Sequence, residues 1–131
     1  MNLPENIENY FKKIISTSQN ISSIWLFGSR VNGGTHVDSD WDILIFADEI
    51  FFNNLKENGP KPPKNVSLMV LYNGDNFKSP WRREKDGKYE KGSLTGWKWT
   101  YHTSKEANYE GVKELPNGHL RTRQEKAVRI F

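Results

Sequence analysis

The stretch "WLFGSRVNGGTHVDSDWDILIF", from Trp25 to Phe46, decides the fold. A first apolar run ends in Gly-Ser, a glycine-containing turn follows, and a second apolar run opens with two aspartates that flank one tryptophan. Side chains two apart in a strand point to the same side, so Asp40 and Asp42 are expected to share a face that Trp41 avoids. Paired carboxylates at the entrance of a buried strand indicate a chemical site.

Two carboxylates held close together repel each other, and one of them then tends to keep its proton. A divalent cation removes this repulsion, and oxygen ligands suit Mg²⁺ or Mn²⁺, which complete their shell with waters and substrate phosphates. We therefore predict that Asp40 and Asp42 bind Mg²⁺ or Mn²⁺. The alternative is a structural role at the strand edge.

The bend before the aspartates has the residues expected of a phosphate-binding turn. Gly28 lacks a Cβ, so its backbone can approach a ligand closely. Successive amide N–H groups form anion-binding concavities in such turns, and Ser29 adds a hydroxyl donor. Arg30 adds a planar cation that suits a phosphate. The alternatives are an ordinary turn at Gly28-Ser29 and a salt bridge from Arg30 to Asp38 or Asp40.

Hydrophobic periodicity predicts a helix, two buried strands, a second helix and a third strand in the first half of the chain. The expected ranges are, in that order, 3–17, 22–28, 40–47, 48–58 and 65–72. This order predicts an α/β (α+β) fold, in which a small mixed β-sheet has helices packed on it. At 131 residues the chain is expected to form a single domain, with a core over 1–72 and a β-rich extension over 73–131.

The second half gives weaker signals. Asp86-Gly87 is a typical hairpin turn. Residues 96–103, "GWKWTYHT", alternate an aromatic face (Trp97, Trp99 and Tyr101) with a polar one, which predicts a strand whose aromatic residues cover the core or, alternatively, stack on nucleobases. Thr122 and Glu125 match a capping box and predict a short final helix.

The composition limits the class of protein. There is no cysteine, hence no disulfide framework or thiolate metal site. No apolar run approaches the length of a membrane span, and "MNLPENIENYF" lacks the pattern of a secretory signal, so we expect a cytoplasmic protein. Residues 66–131 hold 13 Lys or Arg against 8 Asp or Glu, a basic balance that suits a phosphate-bearing partner or simply a solvated surface.

The segment "GSRVNGGTHVDSDWDILIF" resembles the motif of the nucleotidyltransferase superfamily that includes DNA polymerase beta, and above all its minimal nucleotidyltransferases. That motif is an apolar residue, Gly and Ser, a spacer of about ten residues, then two Asp-apolar pairs. Its start is matched by Phe27, Gly28 and Ser29, and its end by residues 40–43, after a spacer that spans 30–39. The resemblance covers about residues 1–72 and leaves the last sixty unexplained.

The resemblance implies a nucleotidyltransferase fold and a metal-dependent transfer of a nucleoside monophosphate from an NTP to an acceptor, with release of pyrophosphate. Gly28 and Ser29 would hold the β- and γ-phosphates, and Asp40 and Asp42 would carry the metals. The acceptor could be a protein, a small molecule or an RNA end. Minimal nucleotidyltransferases are often paired with a small helical protein, so such a partner is a further expectation.

One position departs from the family pattern. Active members carry a third carboxylate near the start of the next strand, and Ser67 occupies that position in "NVSLMVLY". Serine is a poor Mg²⁺ ligand, so Asp75, Glu84 or Asp86 would have to replace it, with Asp75 favoured by its nearness alone. The alternative function is therefore a catalytically impaired nucleotide-binding module or an antitoxin-like partner protein.

Overall fold

An eight-stranded mixed sheet organises the chain, as seen in a computed structural model that describes residues 3–35, 37–81 and 90–131. The helices are α1 (Glu5–Thr17), α2 (Ser29–Asn32) and α3 (Glu49–Asn58). The strands are β1 (Ser23–Phe27), β2 (Trp41–Phe46), β3 (Val66–Leu71), β4 (Asn76–Lys78), β5 (Lys91–Ser93), β6 (Thr100–Tyr101), β7 (Glu106–Glu114) and β8 (Leu120–Arg129). Their order across the sheet is β5-β4-β3-β2-β1-β8-β7-β6. The predicted mixed sheet with a β-rich C-terminal part is confirmed.

The two long helices cover one face of the sheet. Every third or fourth residue of α1 is apolar, and this stripe is buried together with the apolar residues of α3 against β1, β2 and β3. Asp48 precedes α3 as its N-cap, and its side chain accepts a hydrogen bond from the backbone N–H of Phe51 at 2.9 Å. On this face Trp41, Ile43 and Ile45 of β2 point into the core.

The opposite face of the sheet is covered by aromatic side chains. Its buried cluster consists of Trp25, Phe27, Leu44, Phe46, Met69, Leu71, Phe77, Ala107, Tyr109 and Ala127. Trp97 and Trp99 lie over this cluster, and the Trp97 ring is 4.7 Å from that of Phe77. Of the two roles considered for the aromatic residues of 96–103, the tryptophans therefore have the core-covering one, while Tyr101 is 59% exposed.

The predicted strand over 96–103 is wrong in extent. Residues 94–98 form a turn, in which the N–H of Trp97 donates to the carbonyl of Ser93 at 3.0 Å, and only Thr100–Tyr101 pairs as a strand. Trp97 packs on the core from within this turn and Trp99 from the residue that follows it, so alternation in the sequence does not here reflect a continuous strand.

The predicted C-terminal helix is also wrong. Thr122 and Glu125 lie in β8, where they pair with Val112 and Tyr109 of β7, and β8 also pairs with β1. The edge of β1 offers unpaired backbone groups, and pairing with them outweighs a local capping signal. The extension thus continues the sheet of the core.

The Asp86-Gly87 hairpin, and with it Glu84, lies outside the described residues. Within the ranges that are described, no helix is long and apolar enough to cross a membrane.

Candidate active site

The carboxylate of Asp42 lies against the glycine bend that follows β1. Asp42 is the register partner of Phe27, the last residue of β1, which places it beside Gly28. Gly28 has φ +74°, and a Cβ at this position would overlap the carboxylate oxygen Oδ2 of Asp42. Only glycine satisfies both requirements, a left-handed backbone and room for the carboxylate. The structure therefore brings together two of the residues predicted for the site.

Asp40 lies just before β2 and borders a different space. It lines an open groove of about 1370 Å³, whereas Asp42 lines a smaller pocket of about 390 Å³. Glu90 lines both the groove and the pocket. Because Asp40 falls outside the regular strand, a shared face for the two aspartates stays a prediction. Asp40 and Asp42 lie at the N-terminal end of β2, where the sequence predicts the metals.

Tyr109, in the C-terminal extension, contacts the same bend. Its hydroxyl accepts a hydrogen bond from the backbone N–H of Gly28 at 3.0 Å, and its ring stacks on Trp97 at 5.2 Å between centroids. The pKa of Tyr109 is raised to about 12, mainly by burial and in smaller part by the charges of Glu125 and Asp42, while the Gly28 hydrogen bond and Arg123 act to lower it. The phenol is thus neutral at physiological pH and occupies one amide of the predicted phosphate-binding turn.

Arg30 stabilises the loop that leads to the aspartates. Its Nη2 donates to the carbonyl of Ser39 at 2.7 Å, and its guanidinium stacks over the Trp41 ring at 4.5 Å from the centroid. Its Nε is buried and, among the described residues, lacks a hydrogen-bond partner. The side chain therefore positions the segment just before Asp40, and its predicted contact with phosphate stays a prediction.

Asn32, at the end of α2, fixes the bend to the extension. Its amide Nδ2 donates to the carbonyls of Gly28 and Lys126, each at 2.9 Å, and its Oδ1 accepts from the N–H of Lys126 at 2.7 Å. One side chain therefore binds the backbone of β8 in two places. Together with the Tyr109 hydrogen bond, it fixes the glycine bend to the C-terminal hairpin.

The position of the missing third carboxylate is directly beside Asp42. Ser67 of β3 is its register partner in the parallel pairing of β2 with β3. The Ser67 hydroxyl donates a hydrogen bond of 2.6 Å to Oε2 of Glu90. Ser67 thus departs from the pattern that the resemblance implies. The carboxylate of Glu90, from another segment, is hydrogen-bonded to it.

Asp75 lies at the other end of β3. Four strand positions separate Ser67 from Leu71, about 13 Å at the usual rise of a strand, and Asp75 comes later still. Its Oδ1 accepts from the N–H of Thr95 at 2.9 Å and from the Thr95 hydroxyl at 2.8 Å. Asp75 thus stabilises the turn after β5, and this placement gives no support to it as a third metal ligand.

The donor atoms at the bend are chemically suitable for a hard divalent cation. Across residues 3–35, 37–81 and 90–131, no three His, Asp or Glu side chains form a ready-made metal group. Mg²⁺ is commonly held by one or two carboxylates together with substrate phosphates, so a complete protein cage is not required. The oxygen donors and the Gly28 cradle around Asp42 therefore fit a metal that arrives with a nucleotide.

The sequence did not indicate Tyr109 and Asn32 as neighbours of the bend, or Glu90 as the neighbour of Ser67. The segment Pro116-Asn117-Gly118 carries a turn signal, and Gly118 has φ +81° at the tip of the β7–β8 hairpin. That signal could have predicted the hairpin, though not its pairing with β1. For Glu90 we find no signal in the sequence.

Comparison with known proteins gives one match. The family model described as "Polymerase beta, Nucleotidyltransferase" matches residues 6–75, just over half of the chain. Neither the curated proteins nor the solved structures contain a significant match. The matched region includes β1, β2 and β3, and it ends before the segments that carry Glu90 and Tyr109.

Proposed function

This chain belongs to the polymerase beta nucleotidyltransferase family, and from that we propose that it transfers a nucleoside monophosphate from an NTP to an acceptor. The observation that carries the proposal is the contact between Asp42 and Gly28. It joins the acidic part of the family motif to its glycine bend, which is where a triphosphate and its metal would meet. Mg²⁺ or Mn²⁺ is the proposed cofactor.

In the proposed site, Asp40 and Asp42 hold the metal, and Ser29 with the backbone of the bend holds the β- and γ-phosphates. A bound divalent cation would neutralise charge on the phosphates. The acceptor oxygen forms a bond to the α-phosphorus while the bond to pyrophosphate breaks, and the acceptor proton leaves to a base or to water. The residues of the chain contribute mainly by positioning the triphosphate for this displacement.

Charged residues around the two spaces support a phosphate-bearing substrate. Lys61 and Lys64 line the large groove, and Lys91 lines the small pocket. These cations would attract a triphosphate towards the carboxylates. Arg30 could exchange its present contacts for a phosphate, which would also give its buried Nε a partner. The groove, at about 1370 Å³, is large enough for an acceptor bulkier than a nucleotide.

The test is transfer of label from α-labelled NTPs to candidate acceptors in the presence of Mg²⁺. Proteins, small hydroxyl compounds and RNA ends should each be tried. We expect transfer by the natural protein and loss of about 10²-fold or more in Asp40→Asn and in Asp42→Asn. Asp75→Asn is the matched control, because this aspartate lies beyond the far end of β3, and it should retain transfer. Undiminished transfer in both site variants would reject the proposed roles.

The second candidate is a binding module that retains the nucleotide site without turnover. Ser67 favours it, since this side chain beside Asp42 cannot act as a metal-bound carboxylate. This candidate predicts calorimetric binding of Mg²⁺–ATP with no release of pyrophosphate. A small helical partner and a cytoplasmic location remain predictions, which co-purification and cell fractionation would test.

A further inference from the structure

We propose that Glu90 supplies the third carboxylate of the nucleotide site, in place of the strand position occupied by Ser67. This inference rests on the proposed function and extends it to a residue outside the segment matched by the family model. It begins from the Ser67–Glu90 pair, whose hydroxyl-to-carboxylate hydrogen bond is 2.6 Å long.

The register of the sheet fixes where this carboxylate lies. Ser67 and Asp42 are partners on adjacent parallel strands, so a side chain that contacts Ser67 is held near Asp42. Glu90 also lines the small pocket with Asp42 and the groove with Asp40. Among the residues that the structure describes, Glu90 is the one that lines both spaces, so it shares one space with each of the two predicted metal-binding aspartates.

The backbone of Glu90 is fixed by the sheet. Its carbonyl accepts a hydrogen bond from the N–H of the buried Ser79 at 2.8 Å, and the next residue, Lys91, begins β5 and pairs with Lys78 of β4. The hydrogen bonds between the segment of Glu90 and that of β4 thus fix the backbone from which the Glu90 side chain extends. The Ser67 hydroxyl then orients the carboxylate at its far end.

The contact between Ser67 and Glu90 is a short O–H···O hydrogen bond, which holds the carboxylate in a defined position. In the structure, the side chains of Glu90, Asp40 and Asp42 do not form a three-residue metal group. The Glu90 side chain has three rotatable bonds, and we expect it to move towards Asp42 when metal and nucleotide bind.

The experiment measures Mn²⁺ binding, in the presence of ATP, from the electron paramagnetic resonance signal of free Mn²⁺. Glu90→Gln removes the charge yet keeps an oxygen that can accept from Ser67, so folding should be preserved, as circular dichroism would verify. We expect the dissociation constant for Mn²⁺ to rise about 10-fold or more. Glu57→Gln is the matched control, because Glu57 is exposed on α3 and lines neither space.

A rescue variant separates a ligand role from a structural one. Adding Ser67→Asp to Glu90→Gln returns a carboxylate to the strand position, and we expect it to recover most of the lost Mn²⁺ affinity. Equal Mn²⁺ affinity in the natural protein and in Glu90→Gln, with weaker binding in Asp42→Asn, would overturn the role of Glu90 and leave the proposed function standing. Absence of Mn²⁺–ATP binding in the natural protein would overturn both.

Discussion

The Tyr109 hydroxyl accepts a hydrogen bond from the backbone N–H of Gly28, across 81 positions of the chain. One partner belongs to the family motif and the other to the C-terminal hairpin. The bend that is predicted to hold phosphate is therefore shaped in part by a segment beyond the residues that the family model matches. The extension therefore contacts the bend of the candidate site directly.

Removal of this hydroxyl should weaken the fold. Tyr109→Phe leaves the Gly28 N–H without its partner while the aromatic ring keeps its packing. We expect the free energy of unfolding to fall by about 1 kcal/mol, measured by urea denaturation. Tyr101→Phe is the control, because that tyrosine is 59% exposed, and its unfolding free energy should not change. An equal effect in both variants would contradict the role of the Gly28 hydrogen bond.

The same tyrosine predicts an alkaline limit to stability. The pKa of Tyr109 is about 12 in the folded protein and 10.0 for an unperturbed tyrosine. Between pH 10 and pH 12 the unfolded chain therefore loses this proton while the folded protein keeps it, which favours unfolding. The stability that the protonated Tyr109 phenol contributes to the folded protein is fully present below pH 10 and is lost as the pH rises towards 12. Between pH 10 and pH 12 the free energy of unfolding should therefore fall more steeply with pH in the natural protein than in Tyr109→Phe. Parallel pH profiles for the two proteins would contradict this.

The close approach of Gly28 to Asp42 can be tested against another glycine. Gly28→Ala and Gly34→Ala both place alanine at a positive φ, of +74° and +78°, but only the first meets a neighbour. We expect Gly28→Ala to cost about 1–3 kcal/mol more than Gly34→Ala in thermal or urea unfolding. Adding Asp42→Ala should recover part of that difference. Equal losses of unfolding free energy in the two single variants would show that the Asp42 carboxylate does not restrict the space at position 28.

Removing the charge of Asp40 should affect stability and metal binding in opposite directions. If Asp40 and Asp42 lie close together, Asp40→Asn should leave the metal-free protein at least as stable as the natural one, because repulsion is relieved. The same variant should bind Mn²⁺ more weakly. Thermal unfolding and Mn²⁺ titration of one preparation test both parts. A marked drop in the metal-free melting temperature would assign Asp40 a structural role.

The first half of the fold was predictable because its signals are local. Apolar runs, an N-cap at Asp48 and a glycine bend each act over a few residues, and the predicted elements agree with the observed ones to within two residues at either end. The register of β1 with β2 places Asp42 beside Gly28, while the binding of metal and phosphate by these residues stays a prediction.

The second half was not predictable from the same signals, because its structure depends on distant pairing. β8 joins the edge of β1 a hundred residues earlier, and this non-local pairing overrides the capping box at Thr122 and Glu125. The position of Glu90 likewise depends on pairing between β4 and β5. Local periodicity carries no information about which edge a strand joins.

The most direct test of the central claim is Mn²⁺-induced broadening of backbone amide resonances in ¹⁵N-labelled protein with ATP. We predict that broadening is centred on Gly28, Ser29, Asp40 and Asp42, and that it disappears in Asp42→Asn. Broadening centred on Asp75 at the far end of β3, or unchanged broadening in Asp42→Asn, would contradict it.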